Sequence, residues 1–485
     1  MLLKDVIKGL EVLDIKGSLD IEIDNIQYDS RKVEDNGLFI CIKGFTVDGH
    51  NFIDMAIEKG AKAFLVQEDV DIREGITFIK VKNTREDMAK VADNFYNHPS
   101  QRFDVIGVTG TNGKTSITTF LNEILTSAGN KVGLIGTIKI SDGDKAIESN
   151  STTPESRDLQ GYFDQMINNG CKYCAMEVSS HALALNRVAQ TKYKVGVFTN
   201  LTPDHLDFHK DLEDYRNAKE KLFYMTTNAN VINIDDEGGK AIYNNIKDLN
   251  TKCYTYAIDH EADFMAKDIK IEARGVSYRL ITPTYEADVF VPVPGKFTVY
   301  NTLAVIATCY ALEIPKDIVL DGLKNTGGVA GRFEAISNEA GISVIVDYAH
   351  TPDALENVIK TAREFVKNRI ITVFGCGGDR DTTKRPLMGD IAQKLSDICI
   401  VTSDNPRTED PELIIKDILE GLDKSKENYR VVVDRKEAIK EAIEMAQKDD
   451  VILIAGKGHE NYQIIGKVKH HFDDKEIANE FLQSK

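Results

Sequence analysis

No run in this sequence approaches the roughly 18 apolar residues that a membrane-crossing helix needs. The opening segment, MLLKDVIKGLEVLDIKG, lacks the long apolar core of a secretory leader, so none is expected. Positive charge is in deficit: 60 Lys and Arg stand against 77 Asp and Glu, a formal net charge of −17. A general nucleic-acid or anionic-membrane binder would carry the opposite balance. A nucleotide substrate is still allowed, because a few local cations and backbone N–H groups can hold a phosphate inside a negative protein. Cysteine is sparse, with seven residues scattered at 41, 171, 174, 253, 309, 376 and 399. Cys171 and Cys174 form a C-x-x-C, but zinc wants four ligands and there is no second pair. Both read as small buried residues of a protein kept in a reducing cytoplasm.

What is present is ordinary globular material. Hydrophobic residues make up 42% and charged ones 28%, and a length of 485 suits about three domains at about 150 residues each. The first hundred residues read as short alternating strands and helices. The helical pattern TREDMAKVADNFYNHPS runs to His98-Pro99, where proline cannot continue it. From residue 103 apolar β-branched runs recur (DVIGVTG, KVGLIGT, YCAMEVSS, KVGVFTN, ANVINID), as buried parallel strands with crossover helices do. Residues 253–293 read as an antiparallel section, and a helix follows from about 298 to 312. A glycine-rich junction, NTGGVAGR, precedes a second α/β unit with strands ISVIVDYAH, RIITVFGCGG, DICIVTSDNP and DVILIAGKGHE. The fold class expected is α/β in three domains, with limits at 1–100, 101–328 and 329–485. In open sheets of this kind ligands gather at the carboxyl ends of strands.

The strongest single signal is VIGVTGTNGKTS at 105–116: a strand, a glycine-rich loop, then a helix from about Thr115. Inward-pointing N–H groups of such a loop hold phosphate oxygens, and glycines at 107, 110 and 113 let the backbone curl. Lys114 is placed to reach the β- and γ-phosphates, and the Thr115 hydroxyl to ligate Mg²⁺. Val108 stands where the strict pattern wants glycine, so the loop is a variant. Phosphoryl transfer needs a metal with hard ligands. Glu177, ending YCAMEV, and His205, after KVGVFTN, are the candidates, with Asp204, Asp207 and His209 as decoys or supporting partners. Arg332 at the junction and Asp347 after ISVIV are candidates for the nucleotide from the last unit.

Ten segments in order resemble the Mur ligase family, across about 27 to 475. They are GVTGTNGKTS, MEVSSHAL, TNLTPDHLDFH, YRNAKEKLF, NTLAV, GRFE, DYAHTPDAL, FGCGGDRDTTKRP, DNPR and GKGHE. The resemblance implies an N-terminal mixed α/β UDP-binding domain, a central phosphate-loop ATPase domain with a mostly parallel sheet, and a C-terminal Rossmann-like domain that closes over the site. It implies Gly110, Thr111, Asn112, Gly113, Lys114, Thr115, Ser116, Asn301, Arg332 and Asp347 at ATP. Ser30, Phe45, Thr46 and Val47 would contact the uridine part, and Ser151, Thr152, Thr153, Ser179, Leu185 and Arg187 would line the muramoyl-peptide path. Family members often carry asparagine where this chain has Ser151. Lys219 matches a lysine that the family carbamylates with CO₂, adding an anionic ligand for Mg²⁺.

Specificity should lie in the last domain. Members that add meso-diaminopimelate carry DNPR, present here as Asp404, Asn405, Pro406 and Arg407, and by the same pattern Arg380, Gly456 and Glu460 complete the pocket. A forked guanidinium suits the distal carboxylate of diaminopimelate, and Asp404 or Glu460 its ammonium. The implied reaction is ATP-dependent addition of meso-diaminopimelate to UDP-N-acetylmuramoyl-L-alanyl-D-glutamate through an acyl phosphate, in peptidoglycan precursor synthesis. The protein is expected to act as a cytoplasmic monomer, without nucleic acid or membrane insertion. Rival readings are a folylpolyglutamate synthetase or a D-Ala-D-Ala-adding ligase, which should lack DNPR with GKGHE, a hydrolysing switch or motor, and a non-catalytic UDP-sugar sensor. The pair HHFDD near the end reads as a surface feature.

Overall fold

The computed structural model of the chain describes residues 1–44, 47–206, 208–336 and 338–483. Two compact units form: Met1–Met265 with Asn301–Gly322, and Ala266–Tyr300 with Leu323–Lys485. Among the described residues no helix is long and apolar enough to cross a membrane.

The first unit opens with a five-stranded sheet in the order Val12–Lys16, Thr77–Val81, Ala61–Val66, Gly37–Ile40, Asn25–Gln27, parallel except for the first pair. Gly37–Ile40 is buried along its whole length, as a strand covered on both faces must be. Helix Thr84–Phe95 packs on this sheet and is capped by Asn83, whose side chain accepts from the N–H groups of Arg85 and Glu86. It ends three residues before the proline boundary read from sequence. Asn97 and His98 take left-handed φ of 56° and 53°, which ends the helix ahead of Pro99.

The unit's second sheet has a parallel core in the order Val132–Ile135, Tyr173–Glu177, Asp104–Thr109, Tyr193–Phe198, Thr226–Asn233, Lys252–Ala257. Beyond Val132–Ile135 the short strands Lys139–Ser141 and Ala146–Glu148 follow in turn, each antiparallel to its neighbour. The expected antiparallel section at 253–293 is therefore too long at its start. Lys252–Ala257 pairs parallel with Thr226–Asn233, and antiparallel pairing is found for Gly275–Ile281 with Glu286–Val291. The alternation of the later strands does not reach Lys252–Ala257, whose last four residues are buried in the parallel layer. The predicted helix after this section spans Lys296–Ala311.

The second unit holds a six-stranded sheet in the order Glu334–Ile336, Ser343–Asp347, Val451–Ala455, Ile370–Phe374, Ile398–Val401, Tyr429–Val431, parallel except for the first pair. Helices Pro352–Arg363, Lys384–Leu395 and Pro411–Leu419 pack on one face, and Arg435–Met445 and Asp474–Leu482 on the other. This is the doubly wound layering that an alternation of buried strands and amphipathic helices produces. The two helices of the second face are tied by Arg435, which donates Nε and Nη2 to the two oxygens of Asp474 at 2.8 and 2.7 Å with both side chains fully buried.

Candidate active site

In the first unit the strand Asp104–Thr109 lies centrally, between Tyr173–Glu177 and Tyr193–Phe198. Its carboxyl end runs into the glycine-rich loop, and helix Lys114–Ser127 starts at once, one residue ahead of the sequence expectation. Gly110 has φ of 146°, and a Cβ there would stand 1.8 Å from Thr199 Oγ1. Gly113 has φ of 88°, and a Cβ there would stand 2.5 Å from Asn301 Oδ1. Glycine is needed at both for conformation and for close approach. The segment after Tyr193–Phe198 clasps the loop. Thr199 Oγ1 donates to Asn112 O (2.6 Å), Asn112 N to Asn200 Oδ1 (2.9 Å), Thr111 N to Asn200 O (2.9 Å), and Thr202 N to Thr111 Oγ1 (3.1 Å). The loop thus stands with its backbone curled and two of its N–H groups anchored.

Lys114 Nζ donates to the loop carbonyls of Gly110 (2.9 Å) and Thr111 (2.8 Å), so its charge sits over the phosphate cradle. Lys219, on helix Leu212–Glu220, reaches the same Gly110 carbonyl at 2.9 Å while almost wholly buried. Burial first, and then the neighbouring Lys114 cation, hold its pKa well below that of a free lysine, with Asp204 pulling the other way. Tyr215 lies one turn earlier, with the ammonium 4.3 Å from its ring centroid and its hydroxyl 3.2 Å from Thr111 Oγ1. Burial pushes the Tyr215 hydroxyl up to about 12.

Glu177 ends its strand opposite Val108, directly beside the root of the loop. Its buried carboxylate accepts from Thr137 N (2.9 Å) and Thr137 Oγ1 (3.0 Å). His205 follows the neighbouring strand with φ of 54°, its ring 4.8 Å from that of His181 and its Nε2 3.4 Å from Asp204 Oδ2. His209, set aside in the sequence as a decoy or supporting partner, is buried. Its Nε2 lies 3.0 Å from Ser180 Oγ and its Nδ1 3.2 Å from Asp214 Oδ2. Asp207 lies outside the described residues. His181, Thr137, Thr199, Asn200 and Tyr215 were not singled out from sequence. Four of them lie within the blocks MEVSSHAL, TNLTPDHLDFH and YRNAKEKLF, and Thr137 ends the run KVGLIGT, but nothing in the spacing marks which member meets the loop.

A cavity of 480 Å³ in the same unit is lined by Tyr28, Ser30, Arg31, Val47, Phe52 and Met55, among others, with Arg85 and Glu155. Ser30 is buried with its hydroxyl on Met55 Sδ (3.2 Å), and Val47 is exposed. Phe45 and Thr46 lie outside the described residues. The proposed peptide path forms a connected strip. Ser151 Oγ donates to Thr153 O (3.2 Å), Thr152 Oγ1 is 3.1 Å from Thr137 Oγ1, and Thr153 Oγ1 donates to Glu177 O (2.9 Å) and accepts from Ser179 N (3.0 Å). Ser179 caps helix Ser180–Ala184, Leu185 closes it, and Arg187 donates to Thr153 O at 3.2 Å. Near the cavity, Asp48, His50 and Glu68 place three donor atoms within 4.8 Å of one another. Their chemistry is already satisfied: His50 Nε2 accepts from Gln67 N, Nδ1 faces Asp48 Oδ1 at 2.6 Å, and Glu68 pairs with Lys43.

In the second unit Asp347 is half-buried at the end of Ser343–Asp347, its oxygens accepting from Phe333 N (2.6 Å) and Ala349 N (2.9 Å). Burial raises its pKa, against those hydrogen bonds and Arg332. The Arg332 guanidinium lies 5.1 Å from the Tyr348 ring centroid. A second group gathers Asp404, Asn405, Arg407, Gly456 and Glu460. Asn405 Nδ2 donates to Glu460 Oε2 (2.8 Å), and its Oδ1 accepts from Ile464 N (2.9 Å) and from buried Lys457 (3.3 Å). Asp404 Oδ2 is buried without a partner, 2.7 Å from where a Gly456 Cβ would stand. Arg407, at φ of 53°, donates Nη1 to Gly378 O at 2.7 Å. Pro406 supplies its carbonyl to the same turn, accepting from Glu409 N, and Arg380 donates to Asp379 O. Lys457, within GKGHE, is buried and reaches both Asn405 and Glu460, a role that the motif's spacing does not display. Cys171 and Cys174 are buried, and His471 is exposed on Glu476, as read from sequence.

A phosphate loop at the central strand of a parallel sheet, flanked by a buried amine, a carboxylate and a histidine, defines a nucleotide-dependent group-transfer protein. Comparison with known proteins narrows the class. Three family descriptions match in order: Mur ligase family, catalytic domain, at residues 22–98; Mur ligase middle domain at 108–309; and Mur ligase, glutamate ligase domain, at 331–458. A protein of Clostridioides difficile named UDP-N-acetylmuramoyl-L-alanyl-D-glutamate–2,6-diaminopimelate ligase is 73% identical, covering 99% of both chains. One of the same name from Alkaliphilus metalliredigens is 52% identical, covering 100% of this chain and 98% of its own. A solved structure of a ligase of that name is similar with a TM-score of 0.75 at 31% identity, covering 100% of this chain and 99% of that one. The chain belongs to the Mur ligase family.

Proposed function

We propose that the protein is an ATP-dependent ligase that adds meso-diaminopimelate to UDP-N-acetylmuramoyl-L-alanyl-D-glutamate in peptidoglycan precursor synthesis. The observation that carries this is the curled loop at 110–113 with Lys114 and buried Lys219 both on the Gly110 carbonyl. The names of full-length relatives support the choice of substrates. Domain limits at 1–100, 101–328 and 329–485 are proposed with it, supported by family matches that stop at 98 and 309 and restart at 108 and 331. The reaction uses a soluble nucleotide-linked precursor, which fits a cytoplasmic enzyme, and a monomer suffices for it.

The loop N–H groups and Lys114 hold the β- and γ-phosphates of ATP, with Asn301 beside Gly113. The substrate's D-glutamyl γ-carboxylate attacks the γ-phosphorus, ADP leaves, and an acyl phosphate results. Lys114 lies where charge builds up in that step. The deprotonated amine of diaminopimelate then attacks the acyl carbon, and the tetrahedral adduct collapses to amide and inorganic phosphate. Ser30 and Val47 would meet the uridine part, and the strip from Ser151 to Arg187 would carry the peptide. Arg407 and Arg380 would receive the distal carboxylate, and Asp404, with its unpartnered oxygen, and Glu460 the distal ammonium. Arg332 and Asp347 would serve the nucleotide.

The residues beside the loop fit Mg²⁺ in kind. Thr115 offers a hydroxyl, Glu177 a carboxylate and His205 a ring nitrogen. Lys219 can add an anionic oxygen. Its lowered pKa favours the neutral amine, whose lone pair can bond to the carbon of CO₂ while one proton departs, giving a carbamate. Bound there, the metal would neutralise charge on the phosphates. The test is to incubate the protein with ATP, Mg²⁺, the UDP-muramoyl-dipeptide and a mixture of diaminopimelate, lysine and ornithine. The mass of the diaminopimelate adduct is the expected product, and hydrolysis of ATP with no adduct refutes the reading.

A further inference from the structure

Glu155 stands at the N-cap position of helix Ser156–Asn168, where a carboxylate would ordinarily accept from the helix's first N–H groups, yet its side chain makes no capping bond. It is turned instead between two guanidinium groups. Arg85 Nη1 donates to both of its oxygens, at 2.9 and 3.1 Å, and Arg187 Nε lies 3.1 Å from Oε1. All three side chains are about four-fifths buried, so the contacts are shielded from water. Arg85 belongs to the helix that packs on the first sheet and, with Glu155, lines the 480 Å³ cavity. Arg187 continues in the other direction, through Thr153 O, to the strip that ends at the backbone of Glu177 and Ser179.

From this arrangement we infer that Glu155 is a positioning residue for the nucleotide-linked substrate. One carboxylate is hydrogen-bonded to Arg85 at the cavity and ion-paired with Arg187 at the peptide path, so both ends of one long anionic ligand are read in a single register. The three side chains carry a net charge of plus one, which suits a ligand bearing a diphosphate and carboxylates. Without Glu155 the arginines repel each other and lose their shared anchor. An arginine paired with a carboxylate explores fewer orientations than a free side chain, so its remaining N–H donors are better aimed at a ligand. The inference rests on the proposed assignment of Arg187 to the substrate.

The test uses Glu155→Gln, which keeps shape and removes the charge, with Arg187→Met and the double variant. Glu155→Gln should lower kcat/KM for the UDP-muramoyl-dipeptide about tenfold, the size of coupling found for groups in one network, and leave the KM for ATP within about twofold. In the double variant the loss should be clearly smaller than the product of the two single losses, the remainder coming from Arg85. Losses that multiply would show Glu155 acting independently of Arg187 and overturn the inference, as would an equal rise in both KM values. The parent reading fails separately, if Arg187→Met by itself leaves binding of the UDP-muramoyl-dipeptide unchanged. Thermal unfolding of Glu155→Gln guards the result: a fall in kcat/KM that tracks loss of folded protein counts against the inference.

Discussion

Lys219 in the first unit and Arg435 in the second are both buried cationic side chains, and they are held in opposite ways. Arg435 meets a carboxylate head-on, with two hydrogen bonds to Asp474 and a third to Ala455 O, and its charge is locked in. Lys219 meets a carbonyl and an aromatic face, with another cation nearby. Burial without a paired carboxylate favours the neutral amine. The first arrangement ties two helices together; the second keeps a nucleophilic nitrogen in reserve beside a phosphate cradle. Equal burial therefore says little about role until the partner is named.

The contrast can be broken at several points. The largest effect is expected from Lys114→Ala, which should reduce substrate-dependent phosphate release about a thousandfold, as loss of a group aimed at developing charge does. It should also raise the pKa of Lys219 by removing a like charge, seen as slower carbamate formation from ¹³C-labelled CO₂ at neutral pH. Turnover near normal would remove Lys114 from the mechanism. Asp474→Ala should cost about 3–5 kcal/mol in denaturant unfolding, because it strands a buried guanidinium. A cost below 1 kcal/mol would mean that Arg435 finds water or another partner.

Arg407 offers a third case, a cation held by the Gly378 carbonyl, not by an acid, and so available to a ligand. Arg407→Ala should lower kcat/KM for diaminopimelate about a hundredfold with ATP binding unchanged, as loss of a forked contact to a carboxylate implies. Equal loss of both would count against a specificity role. The smallest effect concerns pH. Lys219 has a lower pKa folded than unfolded, so the unfolded chain binds the extra proton between the two values and stability rises with pH across that window. In Lys219→Met that upward slope below about 10 should flatten, since the unfolded lysine titrates near 10.4. An unchanged slope in parallel denaturation curves would show that Lys219 is charged when folded.

The loop was legible because its glycines, lysine and threonine are consecutive, and one strand–turn–helix carries the whole message. The parallel strands were legible for a similar reason, as apolar β-branched runs. The antiparallel section was drawn too early because Lys252–Ala257 is short and flanked by polar residues, so period alone did not assign its partner. Site residues contributed by several strand ends were harder. Thr199, Thr137 and His209 are common residue types whose meaning comes from the strand order, which sets 109 beside 198 and 177 beside 108. Lys219 was named by resemblance; its reactive environment is a product of burial that no local pattern displays. Glu155 and Arg85 sit 70 positions apart and share no motif.

The grip of residues 199–202 on the loop bears on attempts to transplant it. Part of what shapes the cradle comes from a different crossover, through Thr199 and Asn200. A designer who grafted 105–116 alone onto another strand and helix would carry over the letters of the motif without its mould. The graft would need the second strand's exit segment, in the same register, before it could seat a triphosphate.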